Sequence, residues 1–241
     1  MKRKAAFHNL GCKVNAYEME AMQQLLEKAG YEIVPFEPGA DVYVINTCTV
    51  TNIADRKSRQ MLHRAKKMNP DAVVAAVGCY VQVHGEALQT DPAIDITLGT
   101  AEKELLPERL EAYFQSVEAE KSAEASAAAS DALSRDGLML SRTESHTRAF
   151  LKVQDGCDQF CSYCIIPYAR GRVRSRRMAD VLQETERLAA SGVQEIVLTG
   201  IHLCSYGKDL PPEESLPELI RAVHSVPGIR RLRLGPLNLV P

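Results

Sequence analysis

From residue 4 to about 117, short apolar runs alternate with longer stretches whose apolar side chains recur at three and four spacing. Consecutive β-α units over a parallel sheet read this way, because a strand buried on both faces is continuously apolar and a covering helix is apolar on one side only. Strands are expected at Lys4 to Leu10, Tyr31 to Val34, Asp41 to Asn46, Ala72 to Val77 and Ile94 to Leu98. Helices are expected at Ala16 to Ala29, Ala54 to Met68, Gln82 to Gln89 and Lys103 to Ser116, with Gly30 and Asn69-Pro70 as stop signals. The fold class is therefore α/β, opening with an open parallel-sheet domain over 1–117.

Residues 118–147 are rich in Ala, Ser and charge, hold few large apolar side chains, and read as a linker with little to bury. A second α/β region, 148–241, begins with a strand at Ala149 to Val153 and continues with a helix at Met178 to Ala190 and a strand at Glu195 to Gly200. A helix at Leu216 to Ser225 and a strand at Arg231 to Leu234 follow. With 241 residues and 45% hydrophobic side chains the chain can bury a core in one or two domains, so a wholly disordered chain is excluded. The start, Met1-Lys2-Arg3-Lys4, leads into an apolar stretch broken by His8 and Asn9, which is no signal-peptide core, and no run has the length of a membrane span. A cytoplasmic location without membrane attachment is expected. The formal net charge of -2 gives no overall positive field, so any contact with nucleic acid must rest on a local patch.

In a reducing compartment seven cysteines, an odd count, read as metal ligands or reactive thiols rather than disulfides. Cys157, Cys161 and Cys164 are spaced by three and then two residues in the loop after a strand, so that they can wrap one cluster. Three thiolates on a four-iron cubane leave one iron open to a small molecule. In the enzyme class that uses this spacing, that molecule is S-adenosylmethionine, and the cofactor carries the radical chemistry. The alternative is structural zinc closed by a fourth ligand such as His146 or His202, although zinc sites usually bring two separated pairs of ligands.

Cys12, Cys48 and Cys79 are far apart in sequence, but each follows a predicted strand: Cys12 after Gly11, Cys48 after Asn46-Thr47, Cys79 after Gly78. Ligands bind along the carboxyl edge of an open parallel sheet, and three thiolates from three strand ends can converge there. Any one of them alone reads as a buried structural cysteine. Cys204 fits neither arrangement.

Asn9-Leu10-Gly11-Cys12-Lys13-Val14-Asn15, Asn46-Thr47-Cys48-Thr49-Val50-Thr51, Gly78-Cys79 and the stretch from Gly156-Cys157 through Arg177 resemble the methylthiotransferases, radical S-adenosylmethionine enzymes that insert sulfur and a methyl group. The likeness covers nearly the whole chain outside the linker. Two segments, 51–60 and 154–161, resemble the branch acting on N6-threonylcarbamoyladenosine at tRNA position 37. The resemblance implies two [4Fe-4S] clusters. One, on Cys12, Cys48 and Cys79, is auxiliary, holds sulfur and accepts a methyl group from one S-adenosylmethionine. The other, on Cys157, Cys161 and Cys164, cleaves a second S-adenosylmethionine, whose radical takes hydrogen from C2 of the adenine. It implies further that Tyr163 packs near the cofactor adenine and that Thr199 and Gly200 contact its methionine part, though the acidic residue of the commoner motif is missing there. A tRNA substrate, a reducing electron donor of the flavodoxin or ferredoxin type and a monomeric state are expected with it.

Arg170, Arg172, Arg174, Arg176 and Arg177 form a basic run after the second triad, read either as a solvated face or as a phosphate-contacting patch for tRNA. Another reading of the whole chain is a methylthiotransferase with a different target, a tRNA adenosine or a ribosomal protein, and another again is a zinc-containing nucleic-acid-binding module. Only three strands are expected after Ala149, fewer than a closed eight-unit barrel needs. The tail 235–241 departs from the family's pattern, so an incomplete radical S-adenosylmethionine barrel and an incomplete enzyme are expected.

Overall fold

The computed structural model describes residues 2–120, 138–141 and 148–237. Most of the expected linker, His146 and the last four residues of the tail lie outside the described residues. Two compact units emerge: residues 1–10 with 25–138, and residues 11–24 with 139–241.

The first unit is built on a five-stranded, all-parallel sheet. Its elements are β1 (Lys4–Asn9), β2 (Glu32–Val34), β3 (Val42–Thr47), α2 (Asn52–Met68), β4 (Val73–Gly78), α3 (Cys79–Leu88), β5 (Ile96–Leu98) and α4 (Leu106–Glu120). Helix α1 (Lys13–Lys28) follows β1, and its residues up to Gln24 group with the second unit. The strand order is β2-β1-β3-β4-β5, the flavodoxin-like order. Every residue of β3 and β4 is buried, as continuously apolar central strands of a parallel sheet must be. Tyr43, Ile45, Leu62, Val74, Ala76 and Tyr80 form the centre of the core. In sheets of this order the topological switch point lies between β1 and β3.

The second unit contains β6 (Arg148–Lys152), β7 (Gln154–Asp155), α5 (Ile166–Arg170), β8 (Arg174–Ser175), α6 (Met178–Ala190), β9 (Glu195–Thr199), α7 (Leu216–His224) and β10 (Arg231–Leu234). Its three parallel strands run β10-β9-β6, with β7 and β8 as a separate antiparallel pair. Leu151, Val181, Leu188, Ile196, Leu198, Leu219 and Val223 are buried there. The expected three strands after Ala149 are the three of this sheet. Among the described residues β10 is an edge strand, and its Arg231 and Arg233 pair with Glu195 of the neighbouring β9 at 3.0 and 2.7 Å; charge on an edge strand discourages strand addition. Of the described residues of the expected linker, Leu138 and Leu140 are buried.

Candidate metal centres

The loop carrying the second triad starts where β7 ends. Gly156 takes φ +70, and a Cβ there would collide with the backbone carbonyl of Arg172, so only glycine lets the two chain segments meet. The Cys157 amide then donates to the Gly171 carbonyl at 3.1 Å, and the Cys164 amide to the Cys161 carbonyl at 2.9 Å. Phe160 sits at φ +45, a conformation a bulky side chain rarely adopts, between the first two cysteines. Cys161 is exposed and Cys157 and Cys164 half-buried. Three thiols are thus held in one fixed loop at the surface. Among the described residues no three His, Cys, Asp or Glu side chains gather tightly enough for a single ion. A cubane asks for less crowding, because each thiolate binds a different iron. The donor set fits such a cluster.

Around the loop, Tyr163 is 90% exposed. The rings of Phe160 and Tyr168 meet edge to face at 5.8 Å, and the Arg172 guanidinium lies 4.6 Å over Phe160. Thr199 is buried at the end of β9 and its carbonyl accepts from the Val153 amide. Gly200 follows, where a Cβ would press on the side chains of Gln154 and Leu203. Gln154 is the organiser of this corner: its Nε2 donates to the carbonyls of Asp155 and Gly156, and its Oε1 accepts from the His202 amide at 2.7 Å. Cys204 is half-buried in the turn after β9.

Behind the loop lies a buried charge cluster. Lys152 Nζ is 3.0 Å from Glu18 and 2.8 Å from Asp155, and Arg170 Nη1 is 3.2 Å from Glu18 and 3.0 Å from Asp155. Two cations and two carboxylates balance, which is what makes full burial tolerable. Burial alone would raise the Asp155 carboxyl, but Arg170 and Lys152 outweigh it and hold the group down to about 2. Beside it Arg176 pairs with Glu184 at 2.7 Å, and the Tyr17 hydroxyl donates to the same carboxylate. Burial pushes that phenol up, with Arg176 opposing and Glu184 adding to the shift.

This changes the reading of the basic run. Arg170 and Arg176 face buried carboxylates and are spent on the interior, so they cannot reach an RNA phosphate. Arg172, Arg174 and Arg177 stay accessible, with side chains 73%, 40% and 42% exposed. A run of arginines carries no sign of this division, because the opposing carboxylates come from elsewhere in the chain.

In the first unit, Thr47 of β3 pairs in register with Gly78 of β4, so Cys48 and Cys79 leave adjacent strands at the same level, one strand spacing apart. Both are buried. Ser58 of α2 clamps the Cys48 backbone from both sides, accepting from its amide at 3.2 Å and donating to its carbonyl at 3.0 Å. Gly78 turns at φ +103, and a Cβ there would meet Asn46 Oδ1 at 2.9 Å and the Thr47 carbonyl at 3.0 Å. That turn lets α3 begin at Cys79 itself, three residues before the expected start. The buried Lys103 ammonium donates to Asn46 Oδ1 at 2.9 Å. Cys12, which groups with the second unit, follows β1 by three residues. Its thiol is exposed and lies 3.8 Å from Asn15 Oδ1.

The family described as "Uncharacterized protein family UPF0004" matches residues 4–99, and the radical SAM superfamily matches residues 151–230. A threonylcarbamoyladenosine tRNA methylthiotransferase of Bacillus subtilis is 42% identical over 97% of this chain and 51% of its own length. The corresponding enzyme of Aquifex aeolicus is 38% identical over 98% of this chain and 56% of its own. Over these segments the chain is similar to radical S-adenosylmethionine methylthiotransferases. Another relative, named tRNA-2-methylthio-N(6)-dimethylallyladenosine synthase, from Clostridium tetani, is 35% identical over 92% of the chain and 49% of its own length. The chain spans about half the length of the curated relatives it matches. Among solved structures, the radical S-adenosylmethionine methyltransferase TsrM of Kitasatospora setae, with cobalamin and a [4Fe-4S] cluster bound, superposes with a TM-score of 0.56. It is 18% identical over 85% of this chain and 48% of its own, a likeness of fold. The second family segment contains the whole of the triad Cys157, Cys161 and Cys164, and the first contains Cys12, Cys48 and Cys79.

Proposed function

We propose that this chain carries the cluster-binding portion of a tRNA methylthiotransferase that converts N6-threonylcarbamoyladenosine at position 37 to its 2-methylthio derivative. The observation that carries the reading is the surface loop in which Cys157, Cys161 and Cys164 are fixed by backbone hydrogen bonds to Gly171 and Cys161, directly after β7. The two threonylcarbamoyladenosine relatives, alike over nearly all of this chain, support the target nucleoside.

On this reading Cys157, Cys161 and Cys164 hold one [4Fe-4S] cluster, and Cys12, Cys48 and Cys79 hold a second. Such clusters supply electron transfer and a site for S-adenosylmethionine when bound. The chain's own residues do the positioning. Gly156 lets the loop fold back on Arg172, Tyr163 offers an exposed ring for the cofactor adenine, and Thr199 and Gly200 close the methionine side next to Gln154. Arg172, Arg174 and Arg177 take tRNA phosphates. Electrons come from a flavodoxin or ferredoxin type donor, and the protein is a cytoplasmic monomer. No helix among the described residues is long and apolar enough to cross a membrane.

Nucleoside mass spectrometry of tRNA from cells lacking the gene tests the target: loss of 2-methylthio-N6-threonylcarbamoyladenosine is expected, and loss of a dimethylallyladenosine derivative instead would reassign it. Anaerobic reconstitution with iron and sulfide tests the chemistry. Brown protein is expected, and colourless protein with stoichiometric zinc would overturn it. Replacing Cys12, Cys48 and Cys79 by alanine should leave reductive cleavage of S-adenosylmethionine measurable while abolishing methylthiolation in the whole enzyme. Replacing Cys157, Cys161 and Cys164 should remove both.

A further inference from the structure

Asn15, on the first turn of α1, is 1% exposed and its Oδ1 serves two groups from very different parts of the chain. The Cys12 thiol approaches that oxygen at 3.8 Å, and Arg170 Nη2 donates to it closely. The other nitrogen of the same guanidinium, Nη1, donates to Asp155 Oδ1 at 3.0 Å, and Asp155 Oδ1 in turn accepts the Gly156 amide at 2.8 Å. Gly156 directly precedes Cys157. The residue after Arg170, Gly171, supplies the carbonyl that takes the Cys157 amide. Glu18, one turn further along α1, accepts from both Arg170 and Lys152, the two cations that bracket the Cys157 to Cys164 loop in sequence.

We infer that Asn15, Glu18 and Arg170 are positioning residues that set the start of α1, and Cys12 with it, against the Cys157 to Cys164 loop: the Ala16 amide holds the Cys12 carbonyl at 3.1 Å, and contacts run on from Asn15 through Arg170 and Asp155 to Gly156. The inference rests on the proposed function, in which a group held at one triad must meet a radical formed beside the other. A misplacement of about 1 Å can cost about a hundredfold in such a reaction, and sites are held to that tolerance by buried neighbours with locked side chains. A planar guanidinium suits the task, because its two nitrogens reach two acceptors in a fixed relation. Arg170 therefore acts on the placement of Cys12 relative to the loop, and its membership of the basic run is incidental.

The test uses the whole 241-residue chain, loaded anaerobically with iron and sulfide and reduced with dithionite, and reads the magnetic coupling between the two reduced clusters by pulsed electron paramagnetic resonance. Asn15→Leu removes the acceptor of Arg170 while keeping the branched shape of the side chain, and should weaken and broaden the coupling at unchanged iron content. Asn15→Asp keeps an acceptor at the same place and should restore the wild-type value. Should Asn15→Leu fail to fold, Arg170→Lys carries the same test, since a lysine keeps the charge near Asp155 and Glu18 but cannot also span to Asn15. Coupling identical to wild type in a fully loaded Asn15→Leu or Arg170→Lys chain would overturn the inference alone. A wild-type chain that takes up no iron would instead overturn the proposed function, and this inference with it.

Discussion

Asp155 stands at the junction of every part of the second site: it follows Gln154, precedes Gly156, and faces Lys152 and Arg170 while wholly buried. Asp155→Asn would leave two interior cations facing the single carboxylate of Glu18. Breaking one partner out of a buried set of this kind costs about 3–5 kcal/mol, and chemical denaturation of the variant should show a loss of that size. The same residue predicts a pH dependence. Its folded value lies near 2 and its ordinary value at 3.8, so between these the unfolded chain binds the extra proton. Stability is then fully present above about pH 4 and is lost as pH falls from about 4 to about 2, by about 2 kcal/mol for this one group. Denaturation midpoints followed through that window in wild type and Asp155→Asn should converge toward acid, and parallel curves would show that Asp155 is not the group responsible. None of this can be read from Gln154-Asp155-Gly156 as letters, although its place directly before the cysteine loop marks it for attention.

At the level of elements, the long periodic segments are where the expected boundaries and the observed ones lie closest. The helix expected at Ala54 to Met68 is α2, lengthened to Asn52 because Thr51 caps it by accepting from the Ala54 amide. The helix expected from Leu216 is α7, opened by a capping box in which Ser215 and Glu218 satisfy each other's backbone amides. Ser215→Ala should cost about 1 kcal/mol, read as a lowered midpoint in thermal unfolding, and Ser215→Asp should recover most of it. The short elements escape the pattern. Strands β7 and β8 have two residues each and α5 has five, too few for any periodicity to register. They are also the elements that flank the cysteine loop. The start of α3 at Cys79 escapes for a related reason: it depends on the φ +103 turn at Gly78, a backbone property that a lone glycine permits but does not announce.

For the molecule as a whole, on the proposed function, accessible charge decides where tRNA is held, and only part of the basic run is accessible. Changing Arg172, Arg174 and Arg177 together to glutamine should weaken tRNA binding and lower the slope of log affinity against log salt by ~0.7 to 0.9 for each phosphate no longer neutralised. An unchanged slope would return these three to a solvated face. The α/β alternation and the spacing of Cys157, Cys161 and Cys164 were legible in the sequence, because each is local: periodicity reports the faces of one element, and cysteine spacing reports the reach of one loop. Glu18 and Arg170 are separated by 152 positions, and nothing in the neighbourhood of either foretells the other. Whether an arginine meets solvent, a phosphate or a buried carboxylate is a long-range matter of which surfaces fold together, and the tertiary structure alone settled it for Arg170 and Arg176.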